Sequence, residues 1–307
     1  MSRNVSVSVP ASSANVGPGF DAFGLALALR NTFVATAAEE WSVDIAGEGE
    51  RTLPRGPENP VARAAARVFD EAGIRGGAHI QCENHIPPGE GLGSSAAAVV
   101  GGLLIGDALA GAGMSDDDIL ALATEIEGHP DNAAAALHGG FTVCWDDGAP
   151  RSLRIEPGCG IALVLVRATH SFATEESRLL LPAEVLHADA AFNAGRAGLL
   201  VAAVSLGDER ALAAGLTDRI HEPYRRIAMP DIELVRSALL DAGATGAVLS
   251  GAGPAMIGFV CAADREAAHA RAEQVAEAAM PAISHLPHRQ PPLVLGIDLT
   301  GATVERT

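Results

Sequence analysis

The chain has 307 residues, with 38 acidic against 21 basic side chains, a formal net charge of −17 and no lysine. So negative a molecule repels nucleic acid and anionic membrane surfaces over long range, which excludes both as partners and confines any anionic ligand to a local nest of N–H groups, arginines and metal. The length suits one large domain or two ordinary ones with core enough to need no disulfide or metal staple.

No apolar run approaches the ~20 residues of a membrane helix. Nothing at the start resembles a targeting segment, so a cytoplasmic, soluble protein is expected. The four cysteines, Cys82, Cys144, Cys159 and Cys261, are far apart in sequence with no C-x-x-C pair. They are expected to be small buried thiols rather than redox or metal groups.

In chain order, Val5, Val7 and Val9 alternate with serines, predicting a half-buried strand that Pro10 stops. A loop over 11–19 should follow, then strands at 23–29, 32–36 and 41–45. Asn59-Pro60 predicts a helix start, an amide cap followed by proline at the first helical position, with the helix running to residue 72. A strand at 78–83 leads into a glycine-rich loop and an apolar helix over 96–110. Ser115 and Asp118 form a capping box for a helix carrying Glu125 and Glu127. A short helix after His129-Pro130-Asp131-Asn132 precedes strands at 141–145, 152–155 and 161–166. Helices are then expected at 175–181, 189–206, 231–242 and 264–279, with strands at 246–250, 256–260 and 293–298. Strands and helices mix without strict βαβ alternation, which argues an α+β fold with a boundary near 150–165.

Three segments carry chemistry. The loop PGEGLGSSAA, residues 88–97, holds three glycines and two serines where the apolar helix begins. Glycines permit positive φ, and a helix N-terminus offers unpaired N–H groups with a partial positive charge, so the loop is built to hold phosphate without a lysine. The Walker pattern needs its lysine and is excluded. The plainer alternative is a turn joining a strand to a core helix. The second segment, PASSANVGPGFDAFGLAL from Pro10, sets Asn15 and Asp21 around a stiff Gly-Pro-Gly turn. A carboxylate and an amide there suit a small zwitterion, or they merely bond the turn backbone. The third, SGAGPA from Ser250, has glycines that let a ligand approach the backbone.

These three segments in this order resemble the GHMP kinases. ANVGPGFD with EGHPDN at 127–132 narrows the resemblance to the homoserine kinases, over essentially the whole chain. The resemblance implies a two-domain GHMP kinase fold. Residues 1–160 would form an N-terminal mixed α/β nucleotide-binding domain and residues 161–307 a C-terminal ferredoxin-like α+β domain. It implies ATP-dependent phosphorylation of the side-chain hydroxyl of L-homoserine, in threonine biosynthesis, with Mg²⁺, and it leaves a homodimer open.

Carried over by residue, Asn59 and Val61 would line the adenine pocket, with helix capping as the rival role of Asn59. Pro88, Gly89, Gly91, Leu92, Gly93, Ser94, Ser95 and Ala96 would hold the phosphates, with Gly251 and Gly253 beside them. Ser95 and Glu127 would hold the metal, with Glu125 open as the alternative carboxylate. Asn15, Asp21, His129 and Asn132 would surround homoserine. Thr174, Arg178 and Arg225 match T-x-x-x-R and E-P-x-R, and the two arginines would clamp the amino acid's carboxylate. Without the resemblance, each arginine reads as a solvated surface charge. Asn132 would orient the hydroxyl, while Asp131 would organise the loop or metal first and act as a base second.

Two departures stand out. Glu90 sits where the family usually has a neutral or basic residue, so its carboxylate should point outward, away from ATP. Ala252 and Ala255 replace the usual hydroxyls of the third segment. The rival readings are a kinase of mevalonate or pantoate, acids that lack the amino group Asp21 and His129 would recognise, and a catalytically silent ligand sensor. The glycine spacing of the loop is wrong for a nicotinamide dehydrogenase.

Overall fold

The structure is a computed structural model that describes residues 4–170 and 174–306; of Thr174 it describes the backbone alone. The chain opens with a long hairpin, β1 (Asn4–Ala14) against β2 (Phe23–Ala38). Pro10 does not end the strand. The register shifts between Pro10 and Ala11, where a residue without an N–H is tolerated, and pairing resumes to Ala14↔Gly24. Residues 11–14, expected as loop, are therefore strand, and the two strands expected at 23–29 and 32–36 are one.

β3 (Ser42–Gly47) precedes α1 (Pro60–Glu71), where Asn59 caps as its sequence predicts, its side chain accepting from the Val61 N–H. β4 (Gly77–Asn84) leads through the glycine-rich loop into α2 (Ser94–Ala110). α2 is apolar on all sides and belongs to the core. Its Gly102 and Gly106 let α1 lie close, since a Cβ there would come within 2.3 Å of the Val61 carbonyl oxygen and 2.7 Å of that of Ala65. α3 (Asp116–Glu127) carries the expected capping box, and α4 (Asp131–His138) follows, then β5 (Phe141–Asp146) and β6 (Pro150–Ile155). The first sheet runs β1-β2-β4-β3, with β5 joining β2 to β6.

β7 (Gly160–Val166) begins the second sheet. After it come α5 (Thr174–Leu179), α6 (His187–Leu206), α7 (Glu209–Gly215), α8 (Glu222–Arg225) and α9 (Ile232–Asp241). β8 (Gly246–Leu249), β9 (Met256–Ala262), α10 (Arg265–Ser284) and β10 (Leu293–Gly296) complete an antiparallel sheet of order β10-β7-β9-β8, a ferredoxin-like arrangement. β7 is buried along its whole length because its two faces serve two cores. Ile161, Leu163 and Leu165 join the core of the first sheet and α6, while Ala162, Val164 and Val166 pack under α9 and α10. The last strand, β11 (Thr303–Arg306), returns to pair with β1.

Cys82, Cys144 and Cys261 are buried, and burial pushes each thiol up to about 12, so all three stay protonated. Folding also brings Cys159 to 2.9 Å from Cys261, sulfur to sulfur, a proximity their sequence spacing hides.

Candidate active site

Four segments meet where the two sheets face each other: the turn after β1, the glycine-rich loop, residues 127–132, and the loop between β8 and β9. Together with Arg178 and Arg225 they line a cavity of about 110 Å³. A space of about 250 Å³ beyond Gly89 and Ser94 is lined by Asn59, Val61 and Pro88. A third, of about 900 Å³, shares Ser95, Glu127, His129 and Arg178 with the first. These three cavities take in every residue predicted for the site except Thr174, whose side chain lies outside the described residues. A cavity of about 540 Å³ against α10 contains none of them.

The loop has the predicted geometry, with φ of 76°, 81° and 66° at Gly89, Gly91 and Gly93. Gly91 is required there, because a Cβ would come within 2.3 Å of the Ser250 carbonyl oxygen. The loop is fastened on two sides. The Ser12 N–H donates to the Leu92 carbonyl at 3.1 Å, and the Ser250 hydroxyl donates to the Gly91 carbonyl at 2.7 Å. Gly93 caps α2 without any side chain, which leaves the first N–H groups of the helix open to an anion.

The Ser95 hydroxyl donates to Glu127 Oε1 at 2.7 Å. Burial holds the Glu127 carboxyl above its ordinary range, although the Ser95 hydrogen bond opposes this. Glu125 faces elsewhere, with its carboxylate 3.6 Å from Arg67. Asp131 is 1% exposed, contacts His129 Nδ1 at 3.0 Å and accepts from the Asn132 N–H at 2.7 Å. That contact with Asp131 raises the His129 pKa. Asn132 Oδ1 accepts from the Ser12 hydroxyl at 2.9 Å.

Asn15 and Asp21 both take positive φ, 69° and 54°. Each end of the Asn15 amide is committed to backbone: Oδ1 accepts from the Asp21 N–H and Nδ2 donates to the Gly251 carbonyl, both at 3.0 Å. Asn15 therefore shapes the turn. Asp21 and Arg178, expected to act on opposite ends of a substrate, pair with each other through two bonds of 3.0 and 2.6 Å. The pair is about one-third exposed on each side chain and can open.

Arg225 is no solvated surface charge. It is 1% exposed, one guanidinium nitrogen donates to the Gly251 carbonyl at 3.0 Å and to His221 Nδ1 at 3.1 Å, and its Nε has no partner. Burial, with Arg178 nearby, lowers its pKa to about 10. Both guanidiniums lie against the ring of Phe20, at 5.4 and 5.5 Å. Sequence reasoning passed over three residues that shape the site: Ser12, which bonds Leu92 and Asn132, and, at the arginine end, Phe20 and His221, which bonds the Gly17 carbonyl at 2.6 Å through Nε2. The signal for His221 was present in HEPYR, whose arginine alone was used.

The GHMP kinase N-terminal domain model matches residues 59–140, and the GHMP kinase C-terminal model matches residues 200–282. A homoserine kinase of Streptomyces coelicolor is 43% identical over 98% of this chain and 94% of its own length. That of Streptomyces avermitilis is 48% identical over 82% of this chain and 84% of its own. The crystal structure of homoserine kinase from Cytophaga hutchinsonii superposes with a TM-score of 0.85 at 27% identity, covering 98% of this chain and 97% of that one. A putative homoserine kinase of Listeria monocytogenes superposes with a TM-score of 0.78 at 30% identity, over 99% of both chains.

Proposed function

The chain belongs to the homoserine kinase family of the GHMP kinases, and from that premise we propose that its cavity transfers the γ-phosphoryl group of ATP to the side-chain hydroxyl of L-homoserine. The observation that carries the reading to this site is Arg225, a buried cation that lines the cavity, has an Nε without a partner, and shares the Phe20 ring with Arg178 of the Asp21–Arg178 pair. A zwitterion entering there exchanges one internal ion pair for two. Its ammonium takes Asp21, and its carboxylate takes the forks of Arg178 and Arg225. Mevalonate and pantoate bring no ammonium and would leave Asp21 uncompensated, which favours homoserine over both.

At the other end of the cavity, the loop N–H groups and the Ser94 and Ser95 hydroxyls receive the β- and γ-phosphates, and the space beside Asn59 and Val61 takes the adenine. The capping bond of Asn59 does not bar it from that wall. Ser95 and Glu127 offer a hydroxyl and a carboxylate in contact, the hard oxygen donors that fit Mg²⁺ sharing its remaining positions with phosphate and water. Bound there, Mg²⁺ would neutralise charge on the phosphate oxygens. Ser12 holds Oδ1 of Asn132, leaving the NH₂ group to orient the homoserine hydroxyl. Asp131 is committed to His129 and to the Asn132 N–H, so it organises this segment rather than serving as base. A loose transition state tolerates this: the bond to ADP is largely broken before the new P–O bond forms, so the hydroxyl turns acidic late and its proton passes to an oxygen of the transferred phosphoryl group or to water.

The test is ADP release from MgATP with homoserine, mevalonate or pantoate as acceptor. Homoserine should be used fastest by a wide margin; faster turnover of either hydroxy acid would overturn the substrate. Among the described residues, no helix is long and apolar enough to cross a membrane.

A further inference from the structure

Glu90 is the one charged side chain in the glycine-rich loop, and it sits between Gly89 and Gly91, both of which line the cavity. Its carboxylate is turned to Arg167, the residue directly after β7. Arg167 Nε donates to Glu90 Oε2 at 2.7 Å and Nη2 donates to Oε1 at 3.0 Å, a two-pronged pair. The same Nη2 also reaches Glu48 at 3.3 Å. The two side chains are only 19% and 12% exposed, so solvent screens the pair weakly. The backbone is fastened at both ends: the Ala255 N–H donates to the Glu90 carbonyl at 3.3 Å, and the Gln290 N–H to the Arg167 carbonyl at 3.0 Å.

We propose that Arg167 is a positioning residue for the nucleotide: it holds the Glu90 carboxylate off the loop, so that the triphosphate meets N–H groups and hydroxyls and no free anion. This rests on the kinase reading above. A bare carboxylate repels a nearby triphosphate as one charge repels another. Joined to a guanidinium it acts as a dipole, whose field falls away faster. The loop thus keeps a residue of the wrong sign because an arginine from the second sheet cancels it. A plain tether predicts something different, since either partner would then be equally needed.

The experiment is calorimetric binding of MgADP, with no acceptor present, to the full chain and its Arg167→Ala, Glu90→Gln and doubly substituted forms. Arg167→Ala should weaken binding about three- to tenfold, and that loss should shrink as salt is raised to about 0.5 M. Glu90→Gln should bind within about twofold of the unsubstituted chain, and adding it to Arg167→Ala should restore the lost affinity. Weak binding by Glu90→Gln, or a double variant no better than Arg167→Ala, would show a tether and overturn the proposal. Should Arg167→Ala fail to fold, Glu90→Gln alone still decides between the two. Unaltered binding by Arg167→Ala would sink the inference and leave the kinase reading standing. An unsubstituted chain that binds no MgADP would overturn the kinase reading itself.

Discussion

Arg225 shows how much one buried charge can report. A guanidinium at 1% exposure with a free Nε is costly unless something completes it. The substrate carboxylate would do so, through charge-assisted hydrogen bonds worth about 1.5–3 kcal/mol. Arg225→Ala should therefore weaken homoserine use from roughly tenfold to more than a hundredfold, at about 1.4 kcal/mol per decade. The Michaelis constant for ATP should barely move, because the proposed nucleotide site is the loop of Gly89 to Ser95, and lysine should rescue only in part. Unchanged homoserine kinetics in steady-state assays would remove both arginines from the site if Arg178→Ala behaved likewise. Glu127 makes the complementary case. Its folded pKa is raised by burial, so folding favours the protonated form. That contribution is complete below the unfolded pKa and is lost as pH rises through the folded one. Glu127→Gln should then unfold at higher temperature than the unsubstituted apo chain near neutral pH, with the gap closing below the carboxylate range, while turnover falls severely. A Glu127→Gln variant of full activity beside a dead Glu125→Gln would move the metal to the other carboxylate.

At the scale of the element, local signals and distant ones part company. The start of α1 at Asn59-Pro60, the capping box of α3 and the positive φ values of the glycine-rich loop were legible because the atoms that decide them lie within a few residues. So was the meeting of the loop with 127–132 and 250–254, though only through resemblance, since nothing local in three separate segments says that they touch. The extension of β1 beyond Pro10 was not legible. Proline signals a stop unless the partner strand changes register opposite it, as β2 does. α7 and α8, of seven and four residues, are too short to show a helical period. β11 is largely exposed and so lacks the apolar alternation that marks a strand. The pairing of Asp21 with Arg178 and of Glu90 with Arg167 lay deeper still, because each joins residues more than 75 positions apart.

The whole molecule is closed by the path of its last residues. After β10 the chain leaves the second sheet, bridges Leu27 through Ile297, exchanges backbone hydrogen bonds with Ala26 and Gly140 at Asp298, and rejoins the first sheet as β11. Arg30 locks this crossing. Its guanidinium bonds the Asp298 carboxylate, the Ser8 carbonyl at 2.9 Å and the Gly301 carbonyl at 2.7 Å, while Nε donates to the Ser8 hydroxyl at 2.9 Å. Asp298 in turn accepts from the N–H groups of Thr300 and Gly301, both at 2.9 Å, and its side chain is only 8% exposed. Removing one partner of a buried pair leaves the other charge uncompensated, at a cost of about 3–5 kcal/mol. Arg30 itself is 26% exposed, so water recovers part of that loss. Arg30→Ala should therefore lower the unfolding free energy by about 2–3 kcal/mol in urea, with the midpoint falling and the slope retained. Amide exchange should rise first in Thr303–Arg306 and in their partners Val5–Ser8, because β11 is held to the edge by only four paired residues. Adding Asp298→Asn should recover part of the stability by discharging the stranded carboxylate. Equal stability and unchanged exchange in Arg30→Ala would mean that β11 holds the first sheet by its own ladder, without the crossing that Arg30 secures.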